Sequence, residues 1–142
     1  AFRYDNKVII VEIVDGFEVG CAVLGTDKLI IGEVDEIELE DGFFDYFEKY
    51  NLKTSKIHLP ARISKEERER IKDTALAIYK ILGCSGFARV DMFYTKDKKI
   101  VFNEVNTIPG CTSHSRYPSM LKEIGIPFEE VIERLIELGW EK

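Results

Sequence analysis

The 142-residue sequence predicts an α+β domain, an antiparallel sheet with helices packed on it, from three observations. Apolar runs separated by turn residues extend from Val8 to Ile37. Two further alternating runs, Phe87–Tyr94 and Ile100–Asn106, flank the polar loop Thr95-Lys96-Asp97-Lys98-Lys99. A capped amphipathic segment lies between these strand regions, and two more helical segments follow the last of them.

The first region reads as a meander of three strands: Val8–Val14, Phe17–Leu24 and Lys28 to about Ile37. Asp15-Gly16 and Gly25-Thr26-Asp27 supply the turns between them. An irregular span from Glu38 to about Pro60 follows. A connection of that length is usually a functional loop or disordered, and Phe43, Phe44, Tyr46, Phe47 and Tyr50 argue against disorder. Ser64-Lys65-Glu66-Glu67 is a capping box that opens a helix running to about Leu82. Ile71, Ala75, Ile78 and Leu82 form its apolar stripe, and Gly83 stands where a left-handed terminating residue belongs. After the second hairpin, Thr107–Ser115 is a loop broken by Pro109-Gly110. Pro118 and Gly125 bracket a short helix, and Pro127 and Gly139 bracket a last amphipathic one. The chain reads as one domain, residues 1–142.

Composition narrows the class. The chain is 45% hydrophobic and 32% charged, with a formal charge of −6, which argues against a general nucleic-acid surface. No apolar run approaches the roughly 20 residues of a membrane helix. Cys21, Cys84 and Cys111 have no metal-like spacing and read as reduced thiols, hence a cytoplasmic protein. The start Ala1-Phe2-Arg3-Tyr4-Asp5 has no initiator Met, and a fragment of a longer chain is expected.

The chemistry concentrates in the second hairpin. If Asp97-Lys98 forms the centre of its turn, Asp91 falls opposite Glu104 and Arg89 opposite Asn106. Period-two alternation puts Arg89, Asp91 and Phe93 on one face with Glu104 and Asn106. Carboxylates directly opposite, on the order of 5 Å apart, repel each other unless a cation lies between them. Oxygen donors without His or Cys favour Mg²⁺ or Mn²⁺, with Asn106 a further ligand for a second ion. Arg89 then points where developing negative charge needs stabilising. The alternative is an exposed acidic pair softened by Lys96, Lys98 and Lys99, but those lysines lie in the loop, several residues away. Two other segments stay open on composition alone. Asp41–Tyr50, with Lys49, is either a lid that brings an ammonium onto a phosphate or an anchored surface loop. Gly110-Cys111-Thr112-Ser113-His114-Ser115-Arg116 is either a carboxylate-holding loop or a helix cap. His58 and His114 have no partner at ligand spacing, and Cys111 has no base nearby, so all three read as bystanders.

Three ordered motifs carry a resemblance to a known family. They are Gly42-Phe43-Phe44-Asp45-Tyr46-Phe47-Glu48-Lys49-Tyr50, Gly83-Cys84-Ser85-Gly86-Phe87-Ala88-Arg89-Val90-Asp91, and Asn103-Glu104-Val105-Asn106-Thr107-Ile108-Pro109-Gly110 with its continuation Thr112-Ser113-His114-Ser115-Arg116-Tyr117-Pro118. With them the chain resembles the C-terminal ATP-grasp portion of the D-alanine–D-alanine ligase family, and most of all its vancomycin-resistance subgroup. The resemblance implies an ATP-grasp C-terminal subdomain with a long lid loop, residues 41–59. The activity it implies joins D-alanine to a second D-amino acid through an acyl phosphate, for peptidoglycan precursors.

By the same resemblance, Asp91, Glu104 and Asn106 hold two Mg²⁺ (or Mn²⁺) ions on ATP, and Arg89 and the Gly110 backbone stabilise the oxyanion. Lys49 reaches the terminal phosphate, Phe43 and Tyr46 shape the closed lid, and Tyr50 orients the first D-alanine. Ser115 and the Arg116 backbone hold the second substrate's carboxylate. Glu12 and Val14 meet the adenine edge, Phe93 packs on the adenine, and Glu18 binds the ribose. Val11 departs from the Glu that many members carry there. The family's N-terminal domain and the first part of its central domain, with the phosphate lysine and glycine-rich loop, have no counterpart in these residues. Retention of Lys49-Tyr50 points to an amine acceptor, and Ser115-Arg116-Tyr117-Pro118 looks like the D-serine branch. The expected partners are small molecules, with neither nucleic acid nor membrane, and the expected parent enzyme is a homodimer. The competing expectations are a non-catalytic nucleotide-binding module and another ATP-grasp carboxylate–amine ligase.

Overall fold

Strand β1 (Gly16–Leu24) is the member of the sheet around which the rest is arranged. The computed structural model describes residues 3, 5–39 and 55–140. After β1 come β2 (Ile30–Ile31), β3 (Asp35–Leu39), β4 (Ser55–His58), β5 (Phe87–Thr95) and β6 (Ile100–Asn106). The helices are α1 (Lys65–Ile81), α2 (Arg116–Glu123) and α3 (Phe128–Trp140). The sheet runs β4-β3-β1-β5-β6, every pairing antiparallel, with β2 paired to the end of β1. The α+β expectation holds. Among the described residues no helix is long and apolar enough to cross a membrane.

Period-two alternation in β1 and β5 sends two sets of side chains to opposite faces. Val19, Cys21 and Val23 join Ala88, Val90, Met92 and Tyr94 in one buried cluster, covered by Ile71, Ala75 and Tyr79 of α1. The Tyr79 hydroxyl donates to the Gly25 carbonyl at 2.7 Å, so the aromatic payload is buried with its polar end satisfied. On the other face Ala22 and Leu24 pack beneath Tyr117, Met120 and Leu121 of α2 and Val131 of α3. The Tyr117 hydroxyl donates to the Val23 carbonyl, and Glu33 N–H donates to the Met120 carbonyl, which docks the end of α2 onto the sheet.

The capping box is present as expected: Ser64 Oγ accepts from Glu67 N–H, and the Glu67 carboxylate accepts from Ser64 N–H. Gly83 follows the helix at φ 64°, the left-handed conformation that glycine adopts without a Cβ clash.

Several expectations are corrected. Val8–Val14 is not a strand. It is exposed, with Ile9, Ile10, Val11 and Ile13 each at least 78% accessible, because both edges of β1 are already paired and no described strand receives it. Lys28–Ile37 is not continuous but divides into β2 and β3 around Gly32, where a Cβ would press on Ala22 and Met120. The span from Glu38 to Pro60, and with it the tail of the 41–59 loop, contains strand β4, paired from His58 opposite Glu36 to Ser55 opposite Leu39. Gly139 lies within α3, and Pro118 within the first turn of α2.

The hairpin register is right at its acidic end and shifted at its turn. Asp91 pairs with Glu104 and Arg89 with Asn106, as expected, but Met92 pairs with Phe102 and Tyr94 with Ile100. Asn103 is therefore the extra residue of a bulge. Uninterrupted alternation would place Ile100 on the same face as Glu104. The bulge instead lets Ile100 and Val105 both pack on the α1 side while Glu104 and Asn106 stay on the other.

Candidate active site

The face that carries α2 changes character along β1 and β5. At one end, Leu24 opposite Phe87 is apolar core. In the middle, Ala22 opposite Arg89 and Gly20 opposite Asp91 bring in charge, and at the far end Glu18 stands opposite Phe93. Asp35 of β3 joins beside Gly20, and Glu104 and Asn106 of β6 extend the same surface.

Five buried or nearly buried ions meet there. Arg89, 8% exposed, clasps fully buried Asp91 with two hydrogen bonds, Nε to Oδ1 at 2.7 Å and Nη2 to Oδ2 at 2.8 Å. Arg116 reaches down from the first turn of α2 and clasps Asp35 in the same way, at 2.7 and 2.8 Å. Its Nη1 donates to Glu18 at 3.0 Å, and its Nη2 lies 3.8 Å from Asp91. Burial works against the Arg116 charge, but the bonds to Asp35 and the charges of Asp91 and Glu18 outweigh it and hold its pKa above the usual arginine range. Gly20 makes the floor: its N–H donates to Asp35, and a Cβ there would lie 2.6 Å from Arg116 Nη2 and 3.0 Å from Asp91 Oδ1.

This arrangement revises the expected cation argument. Asp91 is not an uncompensated carboxylate, because two guanidiniums already face it. The donor set still suits a hard cation: Asp91 and Glu104 are opposed, Asn106 shares their face, and three carboxylates of the cluster meet two guanidiniums. Mg²⁺ usually takes one or two carboxylates and fills its remaining positions with phosphate oxygens and water. Among the described residues no three His, Cys, Asp or Glu side chains gather as a metal site by themselves. Each Asp91 oxygen accepts one hydrogen bond from Arg89 and keeps a second lone pair that could face a cation.

Beside this cluster the loop after β6 returns to α2. Ser115 occupies the N-cap position at φ −75°, ψ 153°, yet its side chain caps nothing. A Cβ on Gly110 would lie 3.2 Å from Ser115 Oγ, so Gly110 and Ser115 are neighbours, as the carboxylate-holding reading requires. Cys111 is partly buried, which lifts its thiol pKa and fits its expected inert role. His58 bonds Glu38 at 2.6 Å on the β3–β4 edge. Glu12 is exposed and Val14 half-buried on the segment before β1, while Phe93 is half-buried and Glu18 is buried against Arg116. Phe43, Tyr46, Lys49 and Tyr50 lie outside the described residues.

Sequence reasoning missed Asp35, Gly20 and the side-chain role of Arg116. A signal existed for one of them: an Asp inside an otherwise apolar-to-acidic strand opposite a glycine marks a buried charge with room made for it. Its partner is 81 residues away in sequence and was not legible.

Comparison with known proteins places this geometry. The vancomycin/teicoplanin A-type resistance protein VanA of Enterococcus faecium is 50% identical over 98% of this chain, which spans 42% of that protein. The crystal structure of the VanG D-Ala:D-Ser ligase from Enterococcus faecalis superposes with a TM-score of 0.80 at 66% identity, over 89% of this chain and 37% of that one. The D-alanine–D-alanine ligase from Bacillus anthracis, solved in complex with ATP, superposes with a TM-score of 0.79 at 30% identity, over 99% of this chain and 45% of that one. The chain thus spans about two fifths of the length of the curated relatives it matches. The family model described as "D-ala D-ala ligase C-terminus" matches residues 1–137, and the chain belongs to that ligase family.

Proposed function

We propose that this chain is the cation- and acceptor-bearing part of an ATP-dependent ligase that joins D-alanine to a second D-amino acid, D-serine or D-alanine, for peptidoglycan precursors. The observation that carries the reading is the convergence, on one sheet face, of Arg89, Asp91, Glu104 and Asn106 beside the Gly110–Ser115 loop. Membership of the ligase family and the 66% identity to a D-Ala:D-Ser ligase support the reaction class and favour D-serine.

In this reading, Asp91, Glu104 and Asn106 would hold two Mg²⁺ or Mn²⁺ ions, which would supply charge neutralisation on ATP phosphates. Arg89 would face the carbonyl oxygen that gains negative charge as the amine attacks, and the Gly110 N–H would face it from the loop. Ser115 and the N–H groups at the start of α2 hold the acceptor's carboxylate, where the helix dipole favours an anion. Phe93 offers an apolar surface to the adenine, and Glu12, Val14 and Glu18 lie toward the nucleotide by resemblance. Glu18 must share its carboxylate with Arg116 to reach a ribose. Lys49, Phe43, Tyr46 and Tyr50 complete the lid by resemblance. The parent enzyme acts in the cytoplasm as a homodimer.

The test is phosphate release by the full-length enzyme that carries this chain, with D-alanine alone and with D-alanine plus D-serine. Turnover dependent on D-amino acids is expected, and its absence from both mixtures removes the reading. Glu104→Gln gives a second readout: Mn²⁺ affinity in the presence of a non-hydrolysable ATP analogue falls at least about tenfold, by calorimetry, as expected for losing one of two charged ligands.

A further inference from the structure

Ser115 and Thr112 make three mutual hydrogen bonds. Ser115 N–H donates to the Thr112 carbonyl at 2.9 Å, Thr112 N–H donates to Ser115 Oγ at 3.1 Å, and the two hydroxyl oxygens lie 2.8 Å apart. The serine carbonyl is also engaged, accepting from both the N–H and the hydroxyl of Ser119.

Ser115 is an N-cap whose side chain makes no capping bond to its own helix. An N-cap oxygen normally accepts from the N–H two or three residues on. Here one of those two donors is missing, because three residues on is Pro118, which has no N–H, and only Tyr117 could serve. The serine hydroxyl instead bonds Thr112 within the 112–115 turn.

A serine hydroxyl has one donor hydrogen and two acceptor lone pairs. Thr112 N–H fills one lone pair. If the Thr112 hydroxyl donates into the second, both lone pairs are filled and the serine hydrogen is left to donate to a ligand at the N-terminal end of α2. When an anion sits at that end, this is the arrangement in which both hydroxyls are satisfied, and each bond in such a chain polarises the next.

We infer that Thr112 is a positioning residue: its hydroxyl sets the direction in which Ser115 donates, and so tunes affinity for the acceptor's carboxylate. The inference rests on the proposed carboxylate-holding role of Ser115 and adds a residue to it. Thr112 touches Ser115 rather than substrate. Its side chain is on the exposed side of the turn, so its replacement leaves the core untouched.

The test uses the full-length enzyme, varying the second D-amino acid at saturating ATP and D-alanine. Thr112→Val keeps the shape and the backbone N–H but removes the hydroxyl. Its KM for the second amino acid is expected to rise about five- to tenfold, with kcat and the KM for ATP within about twofold of the parent enzyme. Thr112→Ser is expected to return the KM to within about twofold. Ser115→Ala serves as the reference and raises the same KM at least as much. An unchanged KM in Thr112→Val beside a raised one in Ser115→Ala overturns the positioning role alone. No change in either variant overturns the carboxylate reading and the inference with it. Failure of Thr112→Ser to restore binding also sinks the relay, since a shape effect then accounts for the loss.

Discussion

The two faces of the β1–β5 pair are built from the same nine-residue register and solve opposite problems. On the α1 face every position is apolar or aromatic, and burial itself stabilises: Val19, Cys21, Val23, Val90 and Met92 are fully enclosed. On the α2 face the middle positions carry Glu18, Arg89 and Asp91, with Asp35 and Arg116 brought in from elsewhere. Buried ions of this kind add little stability by themselves, since desolvation offsets much of the attraction. Their worth lies in holding Arg89, Asp91 and the start of α2 in a fixed relation. One face holds the fold together, and the other carries the candidate site.

The largest effect expected is on the ionic face. Asp35→Ala leaves the Arg116 guanidinium buried without its bidentate partner and is expected to cost about 3–5 kcal/mol in urea denaturation. The matching change on the apolar face, Ile71→Ala, removes a fully buried side chain and is expected to cost about 3 kcal/mol. Were Asp35→Ala the milder of the two by more than about 1 kcal/mol, the idea that each charge on this face depends on its partner would fail. Gly20→Ala sharpens the contrast further, because its methyl would meet Arg116, Asp35 and Asp91 together. A loss of about 1–3 kcal/mol is expected, accompanied by weaker Mn²⁺ binding. An equal stability loss with unchanged Mn²⁺ affinity would separate the cluster from the cation site.

The smallest effect lies at the edge of the α1 face and depends on pH. Glu67 accepts hydrogen bonds from Ser64 and Tyr94 and pairs with Lys98, and these contacts, Ser64 foremost, lower its pKa from 4.5 to about 2. Its contribution is fully present above the ordinary carboxylate range and is lost as pH falls from there through about 2. Glu67→Gln should therefore lower the melting temperature at pH 6, and the difference from the parent protein should shrink between pH 4.5 and 2. A pH-independent difference would mean that the capping geometry matters and the charge does not.

Local signals carried much of the fold. The capping box at Ser64 and Glu67, the terminating Gly83, and the alternation of Phe17–Leu24 and Phe87–Tyr94 all lie within a few residues of the structure they specify. Val8–Val14 shows the boundary of such reasoning. Its apolar residues promise a strand, but a strand exists only through a partner, and no described element pairs with it. The hairpin shows it again: the facing of Asp91 and Glu104 was legible, whereas the bulge at Asn103 follows from packing Ile100 and Val105 under α1.

The sequence by itself determined the helices, the strands of the β1 and β5 runs, the acidic pairing of Asp91 with Glu104 and the family motifs, because each depends on local periodicity or on a short ordered string. Only the tertiary structure decided that Asp91 is shared between Arg89 and Arg116, that Gly20 makes room for the cluster, and that Ser115 leaves its helix uncapped. Those outcomes depend on which residues, up to 98 positions apart, compete for the same buried volume and the same hydrogen-bond partners.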